Sequence, residues 1–156
     1  MIERYETPEI NAIWKDQNRF QKWLDVELAV CKAWNEAGKI PDEDYRNIVD
    51  KASFSVQRIR EIEEVTQHDV IAFVSSVAEC IGKSGRYVHL GLTSSDVIDT
   101  ASSLLLKESM DAVLDALKVL HKTIGEKALE YKMTPCAGRT HGIHAEPTTF
   151  GLKMLN

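Results

Sequence analysis

The chain has 156 residues, 44% of them hydrophobic, and a formal net charge of -5 at pH 7. This length fits one domain of ordinary size, and the apolar fraction suffices for a core, which excludes wholesale disorder. The acidic balance, with no basic block, argues against non-specific nucleic-acid binding. With 8 glycines and 4 prolines, long regular elements are favoured over a turn-rich sheet protein.

The N-terminus, MIERYE, is charged from the start and reads as no secretory signal, and no apolar run is long enough to cross a bilayer. Cys31, Cys80 and Cys136 are too widely spaced for a disulfide framework or a CxxC metal pair. Reduced, buried or half-buried thiols in a cytoplasmic protein are expected. A helix is predicted over 17–37, where Phe20, Leu24, Leu28 and Cys31 recur at helical spacing and Trp23, Val30 and Trp34 widen the stripe. Gly38 and Pro41 end it. Shorter helices follow over 42–51 and 55–64, the latter with Ser55 as cap. Val70, Ile71, Val74, Val77, Ala78 and Ile81 predict another over 68–81, closed by Gly82 and Gly85. The run RYVHL at 86–90 is strand-like.

The longest element is predicted over 94–131. Leu106, Met110, Val113, Leu117, Leu120 and Ile124 alternate steps of four and three. Such a stripe needs partner helices, as in a bundle. A short strand is expected near 135–141, and Glu146-Pro147 is expected to open a new helix, since proline suits a first turn. The chain stops at Asn156 inside that pattern without a cap or terminator, which reads as a truncated or proteolytic piece. The expected fold is all-α: an N-terminal helical domain plus the start of a long-helix bundle, with short strand-like segments near 86–90 and 135–141.

Three polar clusters interrupt the helices: Thr66, Gln67, His68 and Asp69; then GLTSSD from Gly91; then GRTHGIH from Gly138. Each admits a plain reading and a chemical one. Thr93 with Asp96 forms an approximate capping box. The same helix start, with hydroxyls on Thr93, Ser94 and Ser95, also suits a carboxylate or phosphate. His68 and Asp69 form either a helix-start pair or part of a site. Thr140, His141 and His144 are loop residues, acid–base groups or, less well, metal ligands, because no cysteine or HExxH pattern accompanies them. His89 and His121 read better as structural or exposed. Arg4 beside Tyr5 is either a solvated pair or a phosphate clamp.

Four stretches in order, RYETPEINAIW from Arg4, EVTQHDVIAFV from Glu64, YVHLGLTSSDVIDT from Tyr87 and GRTHGIHAEPTTFG from Gly138, resemble the fumarase–aspartase superfamily and, within it, the adenylosuccinate lyase branch. They span nearly the whole chain. The resemblance implies a mostly helical homotetramer, an N-terminal domain over 1–93 and the start of the central bundle over 94–156. It implies elimination of fumarate from adenylosuccinate and from succinylaminoimidazole-carboxamide ribotide, with no metal or organic cofactor. Such a reaction needs an acid for the leaving nitrogen, a base for the Cβ proton and donors around a carboxylate that gains charge.

Carried over by position, the resemblance makes His141 the general acid and puts Thr140 against a succinyl carboxylate. Thr93 and Ser94 bind carboxylate oxygens, and Ser95, His89 and Arg139 are weaker candidates. Gln67, His68 and Asp69 line the pocket, with His68 supporting the acid or touching the phosphate. Arg4 and Tyr5 bind the nucleotide phosphate. The family's base is a serine in an SSxMPxKxNP-type segment, and no stretch here resembles it. Little or no lyase activity is therefore expected of these residues alone. The rivals are a sister lyase acting on argininosuccinate, fumarate or aspartate, and a non-catalytic helical interaction module. The Arg4-Tyr5 pair and the GRTHGIHAEPTTFG stretch favour the purine enzyme over the sister lyases. A module explains the long stripe but not three polar clusters at helix starts.

Overall fold

A computed structural model of the chain describes residues 3–156. The first two residues of the charged N-terminus lie outside the described residues. A first compact unit ends at Ser109, and a second spans Met110–Asn156.

The first unit begins with a 3-10 turn, Glu3–Tyr5, and then helices α1 (Pro8–Trp14), α2 (Asp16–Glu36), α3 (Asp42–Lys51), α4 (Val56–Thr66) and α5 (Asp69–Ile81). Thr7 caps α1, with Pro8 inside its first turn where no N–H is needed. Ser55 caps α4 by accepting from the Arg58 N–H. The boundaries of α2 to α5 follow the periodicity, since each buries residues of its apolar face.

The core draws Phe20, Trp23, Leu24, Val26 and Cys31 from α2, Ile48 from α3, Ile59 from α4, and Val70, Ala72, Phe73, Val77 and Ile81 from α5. At its centre Phe73 stacks on Phe20 at 5.8 Å and meets the Trp23 edge at 5.4 Å. Offset and edge-to-face pairs of this kind add to area burial. The buried stripe of α2 runs through Glu27, which is only 1% exposed, whereas Leu28 is partly buried at the margin.

Helix α6 (Ser94–Glu130) starts in the first unit, where Val97, Ala101 and Leu105 are buried. Trp14 Nε1 donates to Ser109 Oγ at 3.0 Å, and Glu108 receives Asn18 and pairs with Lys22 at 2.5 Å. These contacts tie α1 and α2 to the first four turns of α6.

Residues 86–90 are not a strand. A 3-10 turn covers Lys83–Tyr87, and the chain continues in turns to Gly91. These strand-like residues find no partner strand there among the described residues, and an isolated strand would leave its ladder groups unpaired. Gly85 packs against α5 instead, where a Cβ would approach Ala78 Cα at 2.8 Å.

In the second unit, β1 (Pro135–Thr140) and β2 (Ile143–Thr149) form an antiparallel hairpin, followed by α7 (Phe150–Lys153). The expected helix at Glu146-Pro147 is thus replaced by strand. Pairing of Pro135 with Thr149, Cys136 with Thr148 and Ala137 with Pro147 overrides the local helix-start signal. Pro147 sits where the register shifts between Ala137 and Arg139, a position that tolerates a missing donor. Helix α7 folds back onto the end of α6. Gly151 N–H donates to Tyr131 O at 3.0 Å, and the Phe150 and Tyr131 rings meet at 5.5 Å.

Six apolar side chains of the α6 stripe are exposed, namely Leu106, Met110, Val113, Leu114, Leu117 and Leu120. Among the described residues no helix is long and apolar enough to cross a membrane.

Candidate active site

The three polar clusters occupy the junctions of the helices and the tip of the hairpin. At the α4–α5 junction Gln67 adopts the left-handed conformation, φ 51°, ψ 34°, that ends α4. Its N–H donates to Glu63 O at 2.8 Å, and its side-chain amide donates to Glu64 O at 2.9 Å. This closes the helix as an αL cap does.

His68 then caps α5, with Nδ1 accepting from the Ile71 N–H at 3.4 Å. The same Nδ1 lies 3.5 Å from Asp69 Oδ1. Both contacts are long and they compete, because the cap needs a lone pair on Nδ1 and the ion pair needs a proton there. Asp69 Oδ1 also accepts from the Val70 N–H at 2.7 Å. In the capping state the His68 hydrogen sits on Nε2, facing away from the helix start.

At the head of α6, the Thr93 N–H donates to Asp96 Oδ2 at 2.9 Å, and the Asp96 N–H donates to Thr93 O at 3.0 Å. The acidic arm of the capping box is therefore made. The hydroxyls of Thr93, Ser94 and Ser95 have no hydrogen bond among the described residues. Thr93 and Ser95 are exposed and Ser94 is half-buried. They are donors in waiting beside an already capped helix start, with the Asp96 charge opposing any anion that approaches the Thr93 N–H.

Arg4 and Tyr5 stay together on the first 3-10 turn. The guanidinium lies 4.9 Å from the phenol ring centre, and one of its nitrogens donates to Tyr5 Oη at 3.1 Å. Tyr5 is 72% exposed. Within the first unit no hydrogen bond or ion pair among the described residues joins this pair, the Gln67–Asp69 group and the Thr93–Ser95 group to one another.

In the second unit, Thr140 and His141 stand at the hairpin tip. His141 at φ 51° and Gly142 at φ 78° form the two central positions of a turn with both φ values positive, the conformation whose twist matches a hairpin. Glycine adopts it freely, whereas histidine does so at a cost. Thr140, His141 and His144 are exposed. Arg139 pairs in register with His144, and Gly138 lies at the register shift, where a Cβ would collide with the Glu146 carbonyl.

The non-glycine residues with positive φ among those described are Gln67, His89 and His141. Each falls in one of the family-like stretches. Backbone held in sparsely populated regions concentrates at functional sites.

His89 is the least expected of the three. Its backbone N–H donates to Glu27 Oε2 at 2.8 Å, and its Nδ1 lies 2.6 Å from Glu27 Oε1. The partners are 62 residues apart. Beside them, burial and the negative charge of Glu27 push the Cys31 thiol up to about 11. Just beyond, Trp34 Nε1 donates to Leu90 O at 2.8 Å, and Gly91 (φ 76°) lies close to the Trp34 ring, where a Cβ would stand 3.3 Å from Cζ2. Helix α2 thus holds the segment that leads into Thr93. The available signal was a glutamate on an apolar helical stripe, three residues after Leu24 and four before Cys31.

Comparison with known proteins places the whole described chain in one family. A family profile described as Lyase matches residues 3–156. The adenylosuccinate lyase of Bacillus subtilis (strain 168) is 55% identical over 154 residues, covering 99% of this chain. That of Aquifex aeolicus (strain VF5) is 51% identical over 157 residues, again covering 99%. The chain spans 36% of the length of each of these relatives. Among solved structures, a fumarate lyase from Mesorhizobium sp. BNC1 superposes with a TM-score of 0.87 at 26% identity, covering 93% of this chain and 35% of that one. A 3-carboxy-cis,cis-muconate lactonizing enzyme from Pseudomonas putida superposes with a TM-score of 0.86 at 30% identity, covering 96% and 36%. With the profile matched from residue 3 to residue 156 and the helical architecture shared, the chain belongs to this lyase family.

Proposed function

We propose that this chain is the N-terminal part of a lyase that eliminates fumarate from adenylosuccinate, giving AMP, and from succinylaminoimidazole-carboxamide ribotide. The observation that carries this reading is the family match over residues 3–156 together with the 55% and 51% identities to two adenylosuccinate lyases. In this reading 1–93 is an N-terminal helical domain and 94–156 opens a central bundle. The enzyme works in the cytoplasm as a homotetramer. The exposed stripe from Leu106 to Leu120 supports burial against partner helices.

Cleaving the C–N bond requires protonation of the leaving nitrogen, and His141 is the general acid. Its exposed ring, with no partner among the described residues, leaves both ring nitrogens open to a bound substrate, which supports this role. Thr140, beside it on the hairpin tip, donates to a succinyl carboxylate. Thr93 and Ser94, with Ser95 behind them, offer unengaged hydroxyls to the carboxylate that gains charge in the intermediate. Gln67, His68 and Asp69 line the pocket, and the outward Nε2 hydrogen of the capping His68 suits a donor to phosphate or to the acid. Arg4 with Tyr5 is suited to the nucleotide phosphate through a charge-assisted contact. The base comes from outside these 156 residues.

The test is turnover of adenylosuccinate by a full-length lyase carrying this sequence as its first 156 residues, with and without His141→Ala. Loss of roughly 10²–10⁴-fold in kcat with unchanged helical content is expected for removal of a general acid. An unchanged rate, or argininosuccinate as the preferred substrate, overturns the reading.

A further inference from the structure

Glu27 is the most deeply buried charged side chain among the described residues, 1% exposed on the apolar face of α2. A buried carboxylate is costly unless its oxygens are hydrogen-bonded. Here both oxygens are used by one residue, Oε2 by the His89 N–H and Oε1 by His89 Nδ1. The first bond holds a histidine backbone at φ 66°, a region that only a few per cent of non-glycine residues adopt. The second fixes the ring. A carboxylate oxygen accepts and does not donate, so in the 2.6 Å contact with Oε1 the hydrogen sits on Nδ1.

His89 Nε2 has no hydrogen bond among the described residues. No buried side-chain nitrogen or oxygen among them lacks a partner, so Nε2 opens to solvent. It does so four residues before Thr93, on the segment that Trp34 and Glu27 hold against α2. We propose that Glu27 is a positioning residue that locks His89 in the Nδ1–H form and presents Nε2 as a hydrogen-bond acceptor to a hydroxyl or N–H of the nucleotide substrate. The inference rests on the lyase reading for its substrate but not for its geometry. A carboxylate fits this task because it accepts from two donors at once. A glutamine has one acceptor and one donor. With its oxygen kept on the backbone N–H, its amide faces Nδ1, and the ring hydrogen must move to Nε2.

The test has two parts. Long-range nitrogen–proton NMR of the histidine rings in this chain, at a pH where His89 is neutral, is expected to give hydrogen on Nδ1 in the wild type. The same spectrum is expected to place it on Nε2 in Glu27→Gln, with far-UV circular dichroism unchanged. Hydrogen on Nε2 in the wild type overturns the proposal without any variant. In a full-length lyase carrying this sequence, Glu27→Gln is expected to lower kcat/KM about 10- to 100-fold, the size of effect seen when a carboxylate that orients a metal-bound histidine is removed. The loss is expected to vanish in a His89→Ala background, because Glu27 acts through that ring. A loss of the same size in both backgrounds, or none in either, overturns the positioning role. Absence of turnover in the wild-type full-length protein overturns the lyase reading, and the ring tautomer still decides the role of Glu27.

Discussion

Replacement of Phe73 by alanine removes the ring at the centre of the first unit. Phe73 is fully buried and lies against Phe20 at 5.8 Å, Trp23 at 5.4 Å and Phe54 at 6.1 Å. The lost transfer term for a buried phenylalanine is about 1.5–3 kcal/mol. The hole is walled by three other rings held on α2 and on the residues before α4, so it collapses only partly and adds a cavity term. The total expected is about 3–5 kcal/mol. Domains of this size hold about 5–15 kcal/mol in all, so the variant loses a large share of its stability. Phe73→Leu keeps most of the volume and is expected to cost about 1–2 kcal/mol. Urea unfolding followed by tryptophan fluorescence reads both, since Trp23 meets the ring directly. A cost below about 1 kcal/mol for Phe73→Ala would refute the placement of this ring at the core centre.

Three further outcomes follow from the same contacts. Hydrogen bonding to Arg60, helped by the charge of Arg19, holds the Asp16 carboxyl below its ordinary value. A depressed folded-state value contributes stability above the unfolded pKa of about 3.9 and loses it as pH falls through the folded one. Asp16→Asn is therefore expected to cost at most ~1 kcal/mol at pH 7, because the pair is largely exposed. Chemical unfolding across pH should show that difference shrinking below about pH 4, and a constant difference would refute it. Cys80 is exposed and Cys31 buried, with its thiol raised to about 11. Cys80 should react with a thiol reagent at pH 8 in the native state, and Cys31 only on unfolding; equal rates would refute the burial of Cys31. Gly151→Ala places a Cβ against the Ala128 carbonyl and 2.6 Å from Lys132 Cα. It should release α7, so that hydrogen exchange at the Phe150 and Gly151 amides accelerates; unchanged protection would refute the docking.

The candidate site was legible to very different degrees along the chain. His68 and the Thr93–Asp96 box could be read locally, because capping geometry is set within one helical turn. What each cap leaves available could not. That the Asp96 arm is occupied while three hydroxyls are unengaged, and that His68 Nδ1 faces two competing partners, depends on side-chain placement. Cys80, expected buried or half-buried, is exposed because it lies on the outer face of α5, one residue before the buried Ile81.

The α-helices over 16–36, 42–51, 56–66, 69–81 and 94–130 were determined by the sequence itself. Their signals are periodic burial, caps and glycine stops, all contained within a few residues. Two segments were decided by contacts outside their own residues. The run at 86–90 has strand-like residues but no strand beside it, and it turns instead because Glu27 and Trp34 seize its polar groups from α2. Residues 143–149 carry a proline helix-start signal, yet they pair with 135–140 across the His141-Gly142 turn, and that cross-strand pairing overrides the signal. The Glu27–His89 contact is the clearest case. Glu27 lies on the apolar stripe of α2, but its partner is 62 residues away, and only folding brings a buried carboxylate the donors that make its burial tolerable.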